Sequence, residues 1–313
     1  MKLSVMRSVK GKQPCKRMEI KNLKLDDLKA EEKYCLSFPL KPELYNELRE
    51  KLAGLPFIII NTENEIIFGI DTYHFLRSSG VTYGDALQID ISHKEALILN
   101  YNLKEKLTGL NLYEKLVFIK RVIPLAEKSE IYRKTGLDIN LNRELVEKLD
   151  LLLSTTFRSS LMDETICLKT GLKLCDFHPD DREALLDLFI KILFTTSFQL
   201  KILELAEEIL FRDKCSMEEI FKKLNIKRYI DTDMEKPQKR IIDALFKYRN
   251  PIYMESEAKW EEEIKGLNLP DNMKVTHFPI FEKKQLELKI NLQDIYNLKK
   301  FIEKIKVPKV GSA

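Results

Sequence analysis

Three sets of side chains in this 313-residue chain have types and spacing that could do chemistry. Cys175 and His178 stand three apart with Cys167 nearby, and a zinc ion would accept all three donors. The pattern offers no fourth ligand, and none of the five cysteines forms a C-x-x-C pair. These sulfurs therefore read as buried thiols rather than as a metal centre or a disulfide framework. Asp26, Asp27, Glu31 and Glu32 form an acidic cluster such as a magnesium-dependent nuclease requires, but solvated acids at a helix start explain them more simply. No Ser-His-Asp or Cys-His constellation sits in a supporting motif, so no catalytic residue and no metal ligand is assigned. The third set is basic. On a helix, Lys236, Lys239, Arg240 and Lys247 fall within about 100° of one another. Only Asp243 interrupts them, and Ile241, Ile242, Leu245 and Phe246 lie opposite, against a core. Such a stripe suits the DNA backbone, an acidic protein partner, or plain solvent.

Overall charge narrows the partners. The chain carries +4, but Lys2, Arg7, Lys10, Lys12, Lys16 and Arg17 all precede the first acid, Glu19. A basic arm over 1–18 thus holds more than the whole excess, and the rest of the chain is at −2. Any nucleic-acid contact must come from that arm or from local patches. At 44% hydrophobic and 33% charged, the chain has the composition of a globular protein with real cores. No apolar run approaches the ~20 residues that would span a bilayer, and no apolar block follows the basic N-terminus, so a cytoplasmic protein without a membrane contact is expected.

These residues need elements to position them. Residues 19–110 read as an α/β domain. A short strand is predicted at Met18–Ile20, a charged turn or helix at Asp26–Glu32, and a helix from Pro42 to about Ala53. A hairpin then pairs Phe57–Ile60 with Glu65–Phe68. Gly69 permits a sharp exit into a helix over Asp71–Ser79, closed by Gly80. Ala86–Ile91 is a further strand, and Ser92-x-x-Glu95 a capping box that opens a helix to about Lys106. From Leu112 the pattern is helical: Leu112–Ile123, Ala126–Thr135 and Asn142–Leu153 within a domain over 111–176, with Tyr73, Phe75 and Leu76 of the earlier helix left to pack a core. A second helical domain over 177–266 holds Pro179–Phe194, Ser197–Phe211, a short helix capped by Ser216, then Lys236–Tyr248 and Glu257–Lys265. Period-two strands at Lys274–Phe278 and Gln285–Leu292 and a last helix to about Ile305 make a small C-terminal β-β-α unit over 267–313, suited to dimerisation or docking. The fold class expected is α+β.

This order resembles the ParB family, whose members bind DNA and segregate or regulate chromosomes and plasmids. The family's glycine-led G-E-R-R-x-R-A helix aligns without gaps onto Gly69-Ile70-Asp71-Thr72-Tyr73-His74-Phe75, with Gly80 at its closing glycine. Its E-N-x-x-R motif falls on Tyr101-Asn102-Leu103-Lys104-Glu105. Leu110-Asn111-Leu112-Tyr113-Glu114 is similar to the L-N-P-I-E that starts the family's helical DNA-binding domain. The likeness covers about residues 19–155.

The resemblance implies a site where the two motifs cradle a nucleotide triphosphate with magnesium, since free N–H groups at a helix start and arginines together hold phosphate oxygens. On this chain that set is Gly69, Thr72, His74, Arg77, Asn102 and Lys104. The arginine positions hold Asp71, Thr72 and His74, and Asp71 sets a carboxylate where a polyanion would sit, at a cost of about 4 kcal/mol for a contact at 4 Å and an effective dielectric of ~20. The resemblance also implies a helix-turn-helix over about Ala126–Leu153, with Asn142 and Arg143 at the start of the reading helix. It further implies a homodimer and a ParA-like ATPase or other protein as partner. Three functions stay open: a ParB-like DNA-binding or regulatory protein linked to partition or transcription, more a scaffold than an enzyme; a nucleotide-dependent phosphotransferase or switch with a rearranged pocket; and a protein-interaction module with neither ligand. Sulfiredoxin-type chemistry would need a cysteine at position 71 or 72, and neither position has one.

Overall fold

The computed structural model describes residues 18–30, 32–36, 58–231, 235–277, 286–291 and 299. The arm before Met18, the helix expected at Pro42–Ala53 and, apart from Lys299, the terminal helix to Ile305 lie outside them. The chain divides into two compact units, 1–203 with 216–218, and 204–215 with 219–313.

The first unit opens on a four-stranded mixed sheet of β1 (Met18–Lys24), β2 (Ile58–Ile60), β3 (Ile66–Phe68) and β4 (Tyr83–Ile89) in the order β1-β4-β2-β3. β1 runs antiparallel to β4 over its full length, from Met18 opposite Ile89 to Lys24 opposite Tyr83. The expected strands at Met18–Ile20 and Ala86–Ile91 are thus longer and shifted, because each borrows regularity from its partner. β4 also pairs in parallel with β2, and β2 with β3 forms the expected hairpin, with a bulge at Ile59/Ile60. Ile58, Ile60, Ile66 and Ala86 point into one core with Leu25, Leu28 and Tyr73. The charged segment after β1 is not one helix but two 3-10 turns, Leu25–Asp27 and Glu32–Tyr34. Leu25 and Leu28 turn inward there and break the solvated face that the acids suggest.

Gly69 leaves β3 at φ 88° and caps α1 (Ile70–Ser78). Gly80, at φ 76°, closes it, with its N–H donating to the Arg77 carbonyl and that of Val81 to the Leu76 carbonyl. Two complete capping boxes follow: Ser92 with Glu95 opens α2 (His93–Leu107), and Asn111 with Glu114 opens α3 (Leu112–Val122). Then come α4 (Lys128–Thr135), ended by left-handed Gly136, and α5 (Arg143–Leu152), capped by Asn142. α6 (Thr155–Met162) and α7 (Leu168–Leu174) fall where the sequence reading placed no element. Each is short, Thr155 and Thr156 weaken the first, and Gly171 interrupts the second. Packing overrides propensity at Gly171, where a Cβ would stand 3.0 Å from the Leu152 side chain. α8 (Pro179–Lys191) completes this series, and the helical core gathers Leu116, Ile119, Ile131, Leu145, Leu152, Phe157 and Leu161.

Beyond α9 (Thr196–Asp213) lie α10 (Met217–Lys223), α11 (Lys227–Asp231), α12 (Pro237–Arg249) and α13 (Pro251–Gly266). α13 starts six residues before the expected Glu257, because Pro251 occupies its first turn rather than ending a loop. β5 (Met273–His277) and β6 (Leu286–Ile290) form an antiparallel pair. No helix among the described residues is long and apolar enough to cross a membrane.

A polar cluster ties the 3-10 turn at Tyr34 to the sheet and to α2. Glu65, buried, accepts from Lys33 Nζ and Asn61 Nδ2, both at 2.7 Å, and Asn100 Nδ2 donates to the Tyr34 carbonyl. The His93 ring stands edge-on to Tyr34 with centroids 5.1 Å apart. Burial pushes the His93 pKa down, and the Lys33 charge adds to the effect. The folded pKa thus lies below the unfolded value of about 6.5. Stabilisation from neutral His93 is complete above that value and is lost as the pH falls through the folded pKa. Between pH 7 and pH 5 the melting temperature of the wild type should therefore fall further than that of His93→Phe, and parallel curves would exclude His93 as the source.

Candidate functional site

The N-terminus of α1 is the natural place to hold an anion. Gly69 turns the chain so that the first N–H groups of the helix point away from any intrahelical acceptor, at the positive end of the dipole. This protein supplies an anion of its own there. Asp71 sits in the first turn, and its Oδ2 lies 3.9 Å from Lys104 Nζ, which comes from α2. The two side chains are only 14% and 8% exposed. Burial pushes the Lys104 ammonium pKa down, and the carboxylates of Asp71 and Glu114 partly restore it.

The other residues of the implied nucleotide set have their own engagements. Thr72 is buried, and His74 lies at the surface, edge-on to Tyr73. Arg77 Nη1 donates to the Tyr73 hydroxyl at 3.0 Å, and Nη2 lies 3.4 Å from Asp26, so its charge is directed at the 3-10 turn. Asn102 Nδ2 donates to the Lys134 carbonyl in the last turn of α4. Phe75, expected in the core, is 43% exposed. The inward stripe is Ile70, Tyr73 and Leu76, three residues apart, and Phe75 is two positions, roughly 200°, from Tyr73.

The second motif has become architecture. Tyr101, in place of the motif's acid, is fully buried against Phe118 with ring centroids 4.3 Å apart, and burial pushes its hydroxyl pKa up. Glu105, in place of its arginine, accepts from the Leu110 N–H at 2.9 Å and pairs with Lys115 at 3.2 Å, bracing the joint between α2 and α3. The Asp71–Lys104 pair is the feature that sequence reasoning missed. Its signal was available, since a misplaced acid in one motif and a spare lysine in the other carry opposite charges.

The two candidate DNA surfaces differ in how their charges are used. Before α5, the Asn142 side-chain oxygen Oδ1 accepts from the Leu145 N–H at 2.8 Å as a helix cap. Arg143, though 89% exposed, is paired with Glu147 at 2.6 Å. Lys148 is held by Glu144 and Asp176 and donates to the Leu172 carbonyl. On α12, Ile241 and Leu245 are buried, while Lys239, Arg240, Asp243 and Lys247 face outward. Lys236 stands just outside the helix, as its N-cap in a left-handed conformation. Arg240 Nε donates to the Glu235 carbonyl. Among the described residues, no carboxylate pairs with any of these four cations.

The sulfur residues are dispersed in role. Cys167 Sγ lies 3.4 Å from the Thr170 hydroxyl, burial raises the Cys175 thiol to about 11, and His178 lies 3.7 Å from Asp180. Among the described residues, no three His, Cys, Asp or Glu side chains gather as a metal site.

No protein-family model matches the chain, and no curated protein matches it. Solved structures do. The C2221 form of a pNOB8-like ParB N-domain is 16% identical and has a TM-score of 0.39, over 74% of this chain and 94% of that one. The C-terminally truncated chromosome-partitioning protein ParB from Caulobacter crescentus, complexed to the centromeric parS site, is 13% identical with a TM-score of 0.34, over 59% of this chain and 98% of that one. The same Caulobacter crescentus protein complexed with CTP-gamma-S is 16% identical with a TM-score of 0.24, over 55% and 99%. At such identities and scores the likeness assigns no ligand, partner or activity to this chain.

Proposed function

We propose that this chain is a ParB-like DNA-associated scaffold in which α12 contacts the DNA backbone and the start of α1 is closed to nucleotides. The observation that carries the DNA reading is the contrast in pairing. A cation already matched to a carboxylate on its own helix gains little by meeting phosphate, whereas Lys239, Arg240 and Lys247 are exposed without such a match. Unpaired surface cations release condensed counterions from DNA and so give a salt-dependent affinity without sequence readout. The ordered series of motifs in the sequence supports the same family of function.

Electrostatics oppose a nucleotide at this site. A triphosphate entering the first turn of α1 meets the Asp71 carboxylate, and Lys104 cannot serve the phosphate without leaving Asp71. Arg77 would likewise have to leave Asp26. The site is satisfied from within, and the Asp71–Lys104 contact ties α1 to α2.

Four outcomes follow from this reading. Retention of duplex DNA should weaken when Lys239 and Arg240 both become glutamate, and the slope of log affinity against log salt should fall by about two. Arg143→Ala should change retention by less than about twofold, because its guanidinium is already committed to Glu147. Unchanged retention in the double variant would remove α12 as the contact. In titrations of CTP, ATP and GTP with magnesium, the wild type should show no saturation below about millimolar concentration. Saturable binding that disappears on substituting Arg77 or Lys104 would replace the scaffold by a nucleotide switch. In urea unfolding, Asp71→Asn and Lys104→Met should each cost roughly 1–3 kcal/mol, and the double variant clearly less than their sum. Strict additivity would show that the two groups do not act as a pair.

A further inference from the structure

β1 closes one side of the four-stranded sheet, and among the described residues no strand pairs with its outer edge. The strand is seven residues long and carries two large apolar side chains in water, Met18 at 65% and Ile20 at 63% exposure. Tyr83 of β4, opposite Lys24, adds a third at 59%. Proteins usually blunt such an edge with proline, a bulge or inward charges. β1 has neither proline nor a bulge: its pairing with β4 is unbroken, its sequence, MEIKNLK, contains no proline, and the charges on its core side, Glu19 and Lys21, are of opposite sign, so that a second copy can match them. The cost of leaving backbone donors, acceptors and an apolar stripe unpaired is removed if another strand covers them.

We propose that the partner is β1 of a second copy, paired antiparallel about a two-fold axis at Ile20. A two-fold axis perpendicular to the sheet keeps every side chain on its own face, so only residues of equal parity can face each other. Within Met18–Lys24, the register centred on Ile20 sets opposite charges against each other: Glu19 faces Lys21 of the second copy, and Lys21 faces its Glu19. Ile20 then meets Ile20, and Met18 meets Asn22. Centring on Glu19 or on Lys21 would set like charges face to face, which destabilises a cross-strand pair. Glu19 and Lys21 already share a face of the strand, with Nζ and Oε2 4.0 Å apart, and they are 54% and 36% exposed. The pairing would join two four-stranded sheets into one of eight, with the exposed apolar stripe continuous across the axis. It is independent of the DNA reading, which concerns α12.

An edge contact of this length buries less than the ~1,200 Å² of a standard interface. It is therefore weak and concentration-dependent. Sedimentation equilibrium of the full chain from about 5 to about 500 μM should show a monomer–dimer equilibrium in the wild type. Glu19→Lys and Lys21→Glu should each weaken it by about tenfold, because two pairs change sign in every dimer. The double variant Glu19→Lys with Lys21→Glu restores both pairs and should return to within about threefold of wild type. Circular dichroism of all variants should match the wild type, since both side chains are exposed. A chain that stays monomeric throughout, a dimer indifferent to either single change, or a double variant no better than the singles would overturn the proposal.

Discussion

A buried ion pair joins the start of α1 to the last turn of α2 in the N-terminal domain. Asp71 can approach Lys104 only because Gly69 takes a left-handed conformation and turns β3 directly into α1. The pair is costly in isolation, because burial disfavours the charged lysine, as the lowered Lys104 pKa records. It becomes tolerable through its setting: Asp71 occupies the positive end of a helix dipole, and Glu114, itself part of a capping box, adds a second negative charge near the ammonium. α1, α2 and α3 are in this way connected through charges that would otherwise be stranded.

The same economy appears across the surface. Arg77 serves Asp26, Glu105 serves the joint before α3, and Lys148 serves two carboxylates and a backbone carbonyl. In these elements the chain closes its cations on its own acids. Two features are exceptions. Among the described residues, the cations of α12 remain without carboxylates and the edge of β1 without a strand.

Much of the local structure was legible in the sequence because local physics decided it. Gly69 and Gly80 bracket α1, and no other residue takes those backbone conformations as cheaply. The capping box at Ser92 and the proline start of α8 fixed helix beginnings, and the apolar spacing of α5 fixed its buried face. Readings failed where a distant partner prevailed. Strand lengths at β1 and β4 depend on each other, and the 3-10 turns depend on where Leu25 and Leu28 find a core. α7 exists because Gly171 fits closely against Leu152.

By itself, the sequence determined that a glycine-bounded strand–turn–helix lies at Ile66–Gly80, that helices dominate after Leu112, and that the arginine positions of the first motif had become Asp71, Thr72 and His74. It could not say what those replacements do, because charge has no meaning until its neighbours are known. Only the tertiary structure brought Asp71 to Lys104, Arg77 to Asp26 and Tyr101 to Phe118. The physical reason is range. Turns and caps are settled by hydrogen bonds within a few residues, whereas an ion pair or a buried ring is settled by side chains tens of residues apart that only folding sets in contact.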